Sequence, residues 1–203
     1  MAKTKVTSGL TITLDGFGAG LNQGFEKPFG DNFDSDLLDR WMFEEPEKHK
    51  HKKEIDAILD AGAFIMGNNM FGPQDRRGKP EWKGWWGDNP PYHAPVFVLS
   101  HTAREPIEMK GGTTFYFVTD GIESALSKAK EAAGHGNVKI MGGANTINQY
   151  LAAGSIDELW LHIVPVTVGA GTRLFEGLPD LKLEPVEISG TSVVTHIRYN
   201  ILK

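Results

Sequence analysis

A short apolar run, Val138–Met141, ends in Gly142-Gly143, and a helix-like segment opens at once with Ile147, Tyr150 and Leu151 on one face. Asn145 is placed to cap the free N–H groups at its start, and Gly154 supplies a left-handed stop. A strand that delivers glycines to a helix N-terminus presents unpaired N–H donors and a partial positive charge, and glycine lets a ligand reach the backbone. The chemistry offered is anion binding, so Val138–Gly154 reads as a seat for a diphosphate. Two adjacent glycines also make an ordinary tight turn, and the full G-x-G-x-x-G pattern is absent here. The reading therefore leans on the other turns of the chain.

Three carboxylates are candidates for proton transfer. Asp15 follows the first apolar run and precedes Gly16, while Asp36 and Asp39 lie three apart on a short helix and so share a face. The structural alternatives are a turn residue for Asp15 and exposed helix carboxylates for the other two. The run His49-Lys50-His51-Lys52-Lys53 invites a metal reading. Histidines two apart point to nearly opposite sides of a helix, so a solvated face is expected and no metal.

Composition narrows the class. The 203 residues, 40% hydrophobic and 23% charged, suit a single domain over 1–203 with a proper core. A formal net charge of -5 argues against nucleic-acid or membrane-surface binding, whose footprint is basic. The absence of cysteine excludes disulfides, thiolate metal sites and cysteine nucleophiles. No apolar stretch reaches a membrane span, and Met1–Leu10 is too polar for a signal peptide, so a cytoplasmic protein is expected.

The elements that must position these residues follow from periodicity. Strands are expected at Val6–Leu14, Ala63–Met66, Pro95–Leu99, Thr114–Val118, Val138–Met141 and Leu159–Val166. Helices are expected at Asp34–Phe43, Glu47–Ala61 and Ile122–Ala133, the last opened by a capping box of Asp120 and Glu123. Leu181–Ile188 and Ser192–Ile201 read as an antiparallel hairpin about Ser189-Gly190. Two long loops remain. One runs from Asp15 to Phe33 and is rich in glycine; the other, Gly72–His93, carries Trp82, Trp85 and Trp86. The expected fold is α/β: a single domain with a mostly parallel twisted sheet, flanking helices and a C-terminal antiparallel hairpin. Ligands of such sheets sit beyond the carboxyl ends of the strands. Gly67-Asn68-Asn69, Ser100-His101-Thr102, Thr119-Asp120-Gly121 and Gly142-Gly143 all fall at that edge, which favours an extended nucleotide.

The segments Thr13-Leu14-Asp15-Gly16-Phe17, Gly67-Asn68-Asn69-Met70-Phe71, Met141-Gly142-Gly143-Ala144-Asn145 and Leu161–Val166 with Gly169–Phe175 occur in this order. Together they resemble the dihydrofolate reductase-like family, which includes the C-terminal reductase domain of the bifunctional riboflavin-biosynthesis protein. The resemblance covers nearly the whole chain. It implies an NADPH-dependent oxidoreductase that passes a hydride to a pterin- or pyrimidine-like small molecule. Met141, Gly142, Gly143, Ala144, Asn145 and Thr146 resemble the diphosphate turn, and Gly67, Asn68, Asn69 and Met70 a second phosphate turn. Ser100 and His101 resemble the adenosine-side loop, and Gly18 and Ala19 would flank the nicotinamide. Many relatives carry arginine where Asn68 stands, so His101 or Arg104 would have to meet a 2′-phosphate. On the substrate side the resemblance points to Asp15, Asp36 or Asp39 as the acid, with Trp41, Phe71 and His162 as further contacts. A homodimer is expected from relatives and from the tryptophan-rich loop. The alternatives are a non-catalytic NADP-binding sensor and a reductase of the 5-amino-6-(ribosylamino)uracil type.

Overall fold

The computed structural model describes residues 4–76 and 78–203; the first three residues of the Met1–Leu10 segment and Arg77 of the Gly72–His93 loop lie outside them. The strands are β1 (Val6–Thr13), β2 (Phe17–Ala19), β3 (Ala63–Gly67), β4 (Pro95–Leu99), β5 (Ile107–Glu108), β6 (Thr114–Val118), β7 (Val138–Gly142), β8 (Glu158–Val164), β9 (Thr172–Arg173), β10 (Lys182–Gly190) and β11 (Thr195–Leu202). The helices are α1 (Ser35–Phe43), α2 (Glu47–Lys50), α3 (Lys52–Leu59), α4 (Asn68–Phe71), α5 (Ile122–Ala133) and α6 (Ala144–Ala152).

Nine strands form one sheet in the order β10-β11-β8-β1-β7-β3-β4-β6-β5. From β8 to β6 every pairing is parallel. The hairpin β10–β11 joins β8 antiparallel at one edge, and the two-residue β5 closes the other against β6. The expected α/β architecture is therefore the observed one. β2 and β9 make a separate small ribbon that links the loop after β1 to the loop after β8.

Residues of alternating parity along each strand go to different faces. On one face Val6, Ile12, Ile65, Val138, Ile140, Leu159 and Leu161 pack with Ala125 and Ala129 of α5 and with Ile147, Tyr150 and Leu151 of α6. The opposite face is covered around Trp41 and Leu38 of α1 and Ile55 and Ile58 of α3. There β8 and β11 contribute His162 and His196, both almost wholly buried.

Five local expectations are corrected. The helix over Glu47–Ala61 is two helices, broken at His51, whose backbone (φ -108, ψ 18) leaves the helical region. His51 then turns inward and is buried, so that part of the His49–Lys53 run is not a solvated face. Asn145 does not cap α6, because Gly143 holds the N-cap position and no side chain caps it. The capping box before α5 does not form either: Gly121 is the N-cap, and Asp120 accepts from the Ser124 hydroxyl at 2.7 Å and from Lys128 instead. The hairpin turn lies about two residues later than Ser189-Gly190, closed by Thr191 N–H donating to the Val194 carbonyl at 2.9 Å. Gly154 does stop α6 in the left-handed region, at φ +60.

Candidate active site

The carboxyl ends of β7, β3, β4 and β6 lie side by side along one rim. At the usual strand spacing, the turn after β7 and the turn after β6 are about 14 Å apart, a span suited to an elongated ligand. The polar and glycine turns read from the sequence therefore do share one edge.

The glycines show how tightly the rim is built. Gly142 adopts φ +118, closed to side-chain residues, and a Cβ there would stand 3.4 Å from Leu10 Cδ1 and 4.0 Å from Met70 Sδ. A Cβ on Gly67 would fall 2.4 Å from the Thr146 hydroxyl, so the turn after β3 and the first turn of α6 touch. Gly18 on β2 is held against Leu10 and Ala144, 2.9 and 3.3 Å from where its Cβ would be. Gly18, Gly67, Met70, Gly142, Ala144 and Thr146 are thus one constellation, drawn from three separate stretches of chain.

Gly143 differs from its neighbours in having nothing within 4 Å of a Cβ position. It is the N-cap of α6, and its carbonyl accepts from the amides of Thr146 and Ile147 at 2.9 and 3.2 Å. No side chain caps the helix, whose positive end starts beside the open Cβ position of Gly143. The residues present fit an anionic group.

The remaining cofactor-side candidates are less uniform. Met141 sends its side chain into the second apolar cluster, leaving only its backbone to the rim. Asn68 is half-buried and Asn69 exposed on the single turn of α4. Asn145 is exposed in the first turn of α6, and Ala19 is half-buried in β2. Ser100 closes its own turn, donating to the Thr102 carbonyl at 2.9 Å, while His101 is exposed. Arg104 is committed elsewhere. It donates to the carbonyls of Pro80 and Trp82 at 3.0 and 2.7 Å and lies over the Phe117 ring, tying down the tryptophan-rich loop.

Of the substrate-side candidates, Trp41 is completely buried, Phe71 is 2% exposed and His162 3%. Phe71 packs edge-on to Phe115 and Phe117, and Trp41 packs against the rings of His162, His196 and His51. The apolar periodicity of α1 agrees with a core position for Trp41.

The three acids separate by environment. Asp15 accepts from the Thr13 hydroxyl at 2.6 Å and from the amides of Val168 and Gly169 at 3.1 and 2.8 Å. Burial acts to raise its pKa, but these hydrogen bonds outweigh it and hold the carboxyl below its usual 3.8. Asp15 is thus an ionised clasp between the loops after β1 and β8, which corrects its reading as a proton donor. Asp36 is exposed. Asp39 is half-buried on α1, and burial, with the charge of Asp36 adding to it, pushes its pKa up to about 6. A carboxyl raised in this way has the ionisation expected of a general acid near neutral pH.

The two long loops meet. Phe25 stacks on Trp85 (5.9 Å) and meets Trp82 edge-on (6.1 Å), with the Arg76 guanidinium 4.5 Å above its ring. A cavity of about 600 Å³ opens there between Asn22–Lys27 and Gln74–Arg76. Trp86 turns away from it, onto Tyr92 and Phe115.

Residues 4–197 match the family described as the RibD C-terminal domain. The chain belongs to the RibD C-terminal domain family. Protein YwjB of Bacillus subtilis (strain 168) is 30% identical over 83 residues, 39% of this chain and 47% of YwjB, so the match spans about half the length of that curated relative. Among solved structures, a candidate riboflavin biosynthesis protein from Shewanella sp. PV-4 superposes with a TM-score of 0.64 at 20% identity, over 98% of this chain and 100% of the other. The diaminohydroxyphosphoribosylaminopyrimidine deaminase/5-amino-6-(5-phosphoribosylamino)uracil reductase of Thermotoga maritima superposes with a TM-score of 0.59 at 15% identity. That match takes 98% of this chain and 57% of the other. At such identities the structures establish a shared fold.

Proposed function

We propose that this RibD C-terminal-domain protein is an NADPH-dependent reductase acting on a pyrimidine- or pterin-like ring. The observation that carries the reading is the uncapped start of α6 beside the open space at Gly143, flanked by Gly67 and Gly18. The name of the Thermotoga protein pairs this fold with a uracil reductase. When bound, the reduced nicotinamide would supply a hydride to an electrophilic C=N or C=O carbon of the ring.

The chain's own residues do the rest. The first-turn amides of α6 and the turn at Gly67 hold the diphosphate. Gly18 and Ala19 let the nicotinamide lie against the backbone of β2. Asp39 gives its proton to the substrate heteroatom, directly or through one water, because its carboxyl holds that proton up to about pH 6. Asp15 keeps the loops after β1 and β8 closed over the site. His101, exposed at the end of β4, would meet the 2′-phosphate, so discrimination between NADPH and NADH is expected to be small. A homodimer is the proposed assembly, through the edge strand β10, whose Ile188 is 68% exposed.

The test is a fluorescence titration with NADPH on the parent and on Gly143→Asp, with circular dichroism as the folding control. Because the site around Gly143 is open, the variant should fold, yet its carboxylate beside a diphosphate should weaken binding at least tenfold. No fluorescence change with the parent, or equal binding by the variant, overturns the reading. Turnover is then followed as NADPH oxidation on adding a dihydropterin or an amino-uracil ribosyl compound.

A further inference from the structure

Away from the rim, on the face covered by α1 and α3, three buried side chains converge from separate elements. They are His51 at the break between α2 and α3, Glu54 on α3 and His196 on β11, and one ligand atom of each lies within 4.8 Å of the other two. Their exposures are 2%, 5% and 2%. His196 Nε2 and His51 Nδ1 face each other at 2.9 Å.

The outward atoms of all three are already held. His51 Nε2 meets Thr191 Oγ1 at 3.1 Å and the Glu47 carboxylate at 3.6 Å. The Ser189 hydroxyl donates to Glu54 Oε1 at 2.7 Å. His196 Nδ1 meets His162 Nδ1 at 2.7 Å. Such outer partners fix ring orientation and tautomer in metal centres, where a ligating histidine gives its other nitrogen to a carboxylate, carbonyl or similar group. Here every candidate ligand has an outer partner, the two imidazoles face each other at 2.9 Å, and a ligand atom of Glu54 lies within 4.8 Å of both.

We propose that His51, Glu54 and His196 form a binding site for a divalent transition metal, zinc in the first place. Two imidazoles with one carboxylate and no thiolate suit zinc among the available ions, and the chain has no cysteine to offer softer ligands. Metal–nitrogen bonds of about 2.0–2.1 Å at tetrahedral angles need donor atoms about 3.3 Å apart. The histidine pair has to open by only a few tenths of an ångström, and the carboxylate to swing inward by at most about 1.5 Å. A fourth position remains for water or the second Glu54 oxygen.

The protons balance without net release. Before binding, one consistent arrangement of tautomers has His162 Nδ1–H donating to His196 Nδ1 and His196 Nε2–H donating to His51 Nδ1. His51 Nε2–H then donates to Thr191 or Glu47. On binding, the His196 proton moves to Nδ1 and the His162 proton to Nε2, which frees both inner lone pairs. His51 keeps its proton. The ion would pin the hairpin β10–β11 to α3, a structural role that does not depend on the reductase reading.

The experiment uses the full chain, stripped with a chelator, dialysed and titrated with zinc sulfate. One equivalent should survive gel filtration, with a higher melting temperature than the stripped protein. X-ray absorption at the zinc edge should show nitrogen and oxygen ligands with two imidazoles. Glu54→Gln, isosteric and still able to accept from Ser189, should lose at least tenfold in zinc affinity while keeping the parent's circular dichroism. His49→Gln, altering an exposed histidine outside the cluster, should bind as the parent does. Substoichiometric retention overturns the proposal. So does unchanged binding by Glu54→Gln, and so does an absorption spectrum with one imidazole or none, which is read on the unmutated protein and needs no variant to fold.

Discussion

Replacing Asp39 with asparagine should make the protein more stable at neutral and alkaline pH. The carboxyl has a pKa of about 6 in the folded protein against a usual 3.8, through burial first and the nearby Asp36 charge second. The folded state therefore binds its proton more tightly than the unfolded chain does. Stability falls as pH rises between those two values, and above about pH 6 the whole penalty is present. At 1.36 kcal/mol per pH unit the gap corresponds to about 3 kcal/mol, and half-exposure to solvent screens it to about 1–3 kcal/mol. Asparagine keeps the shape and removes the charge. Urea unfolding of both proteins from pH 3.5 to 8 should show a gain in midpoint that is absent at pH 3.5, grows through pH 4–6 and is constant above. A pH-independent difference, or a less stable variant at pH 8, refutes the argument. Under the proposed function the same variant loses NADPH oxidation while its NADPH titration is unchanged. A residue that costs stability and carries activity is the pattern expected of a catalytic acid.

Three further outcomes test the packing of the site. Gly67→Ala should cost about 1–3 kcal/mol through its clash with the buried Thr146 hydroxyl, and Thr146→Ala should relieve it, with a coupling of at least about 1 kcal/mol in a double-mutant cycle; additive effects would mean that the two turns do not touch. Asp15→Ala should lose about 1–3 kcal/mol in urea unfolding, because the amides of Val168 and Gly169 lose their acceptor, and should open residues 165–171 to proteolysis. The Asp15 carboxyl titrates below 3.8 when folded, so its contribution disappears as pH falls through that lowered value, and the cost of the substitution shrinks in acid. Phe25→Ala removes the ring that joins the two long loops, so tryptophan emission should move to the red, with a stability loss of about 1 kcal/mol.

The strands and the two long helices α5 and α6 were legible because their apolar spacing is carried by the residues themselves. Val138–Ile140 and Ala63–Met66 are buried runs flanked by glycine, and no neighbour is needed to recognise them. What the sequence could not show was who lies beside whom. β7 returns past β6 and β4 to insert between β3 and β1, so Thr146 meets Gly67 although β4, β5, β6, α5 and β7 lie between them in sequence. The acids illustrate the same limit. Asp15 and Asp39 look alike as letters, and the hydrogen bonds from Thr13, Gly169 and Val168 on one side, and burial on the other, drive their ionisation apart. Trp41 and Phe71 lie next to candidate motifs in the sequence and pack behind them in the fold.

The histidines failed to show for a different reason. Alternation along β8 and β11 correctly puts His162 and His196 opposite Leu161 and Ile197, but a period of two says which residues share a face and nothing about what covers it. Here α1 and α3 cover that face, and polar side chains there must find partners or be lost to water. Lys139 shows one solution, its ammonium donating at 2.6 Å to the Ala57 carbonyl in the last turn of α3, with burial lowering its pKa to about 8. His162, His196 and His51 show another, each ring taking the next as its partner. These bonds are directional, unlike the contacts of the apolar face, so they fix how far α3 slides along β7 and where the hairpin turn sits. The break at His51 belongs to the same account: a continuous helix from Glu47 to Leu59 would carry that ring on a regular helical path, and the non-helical backbone at this one residue is what brings it onto His196.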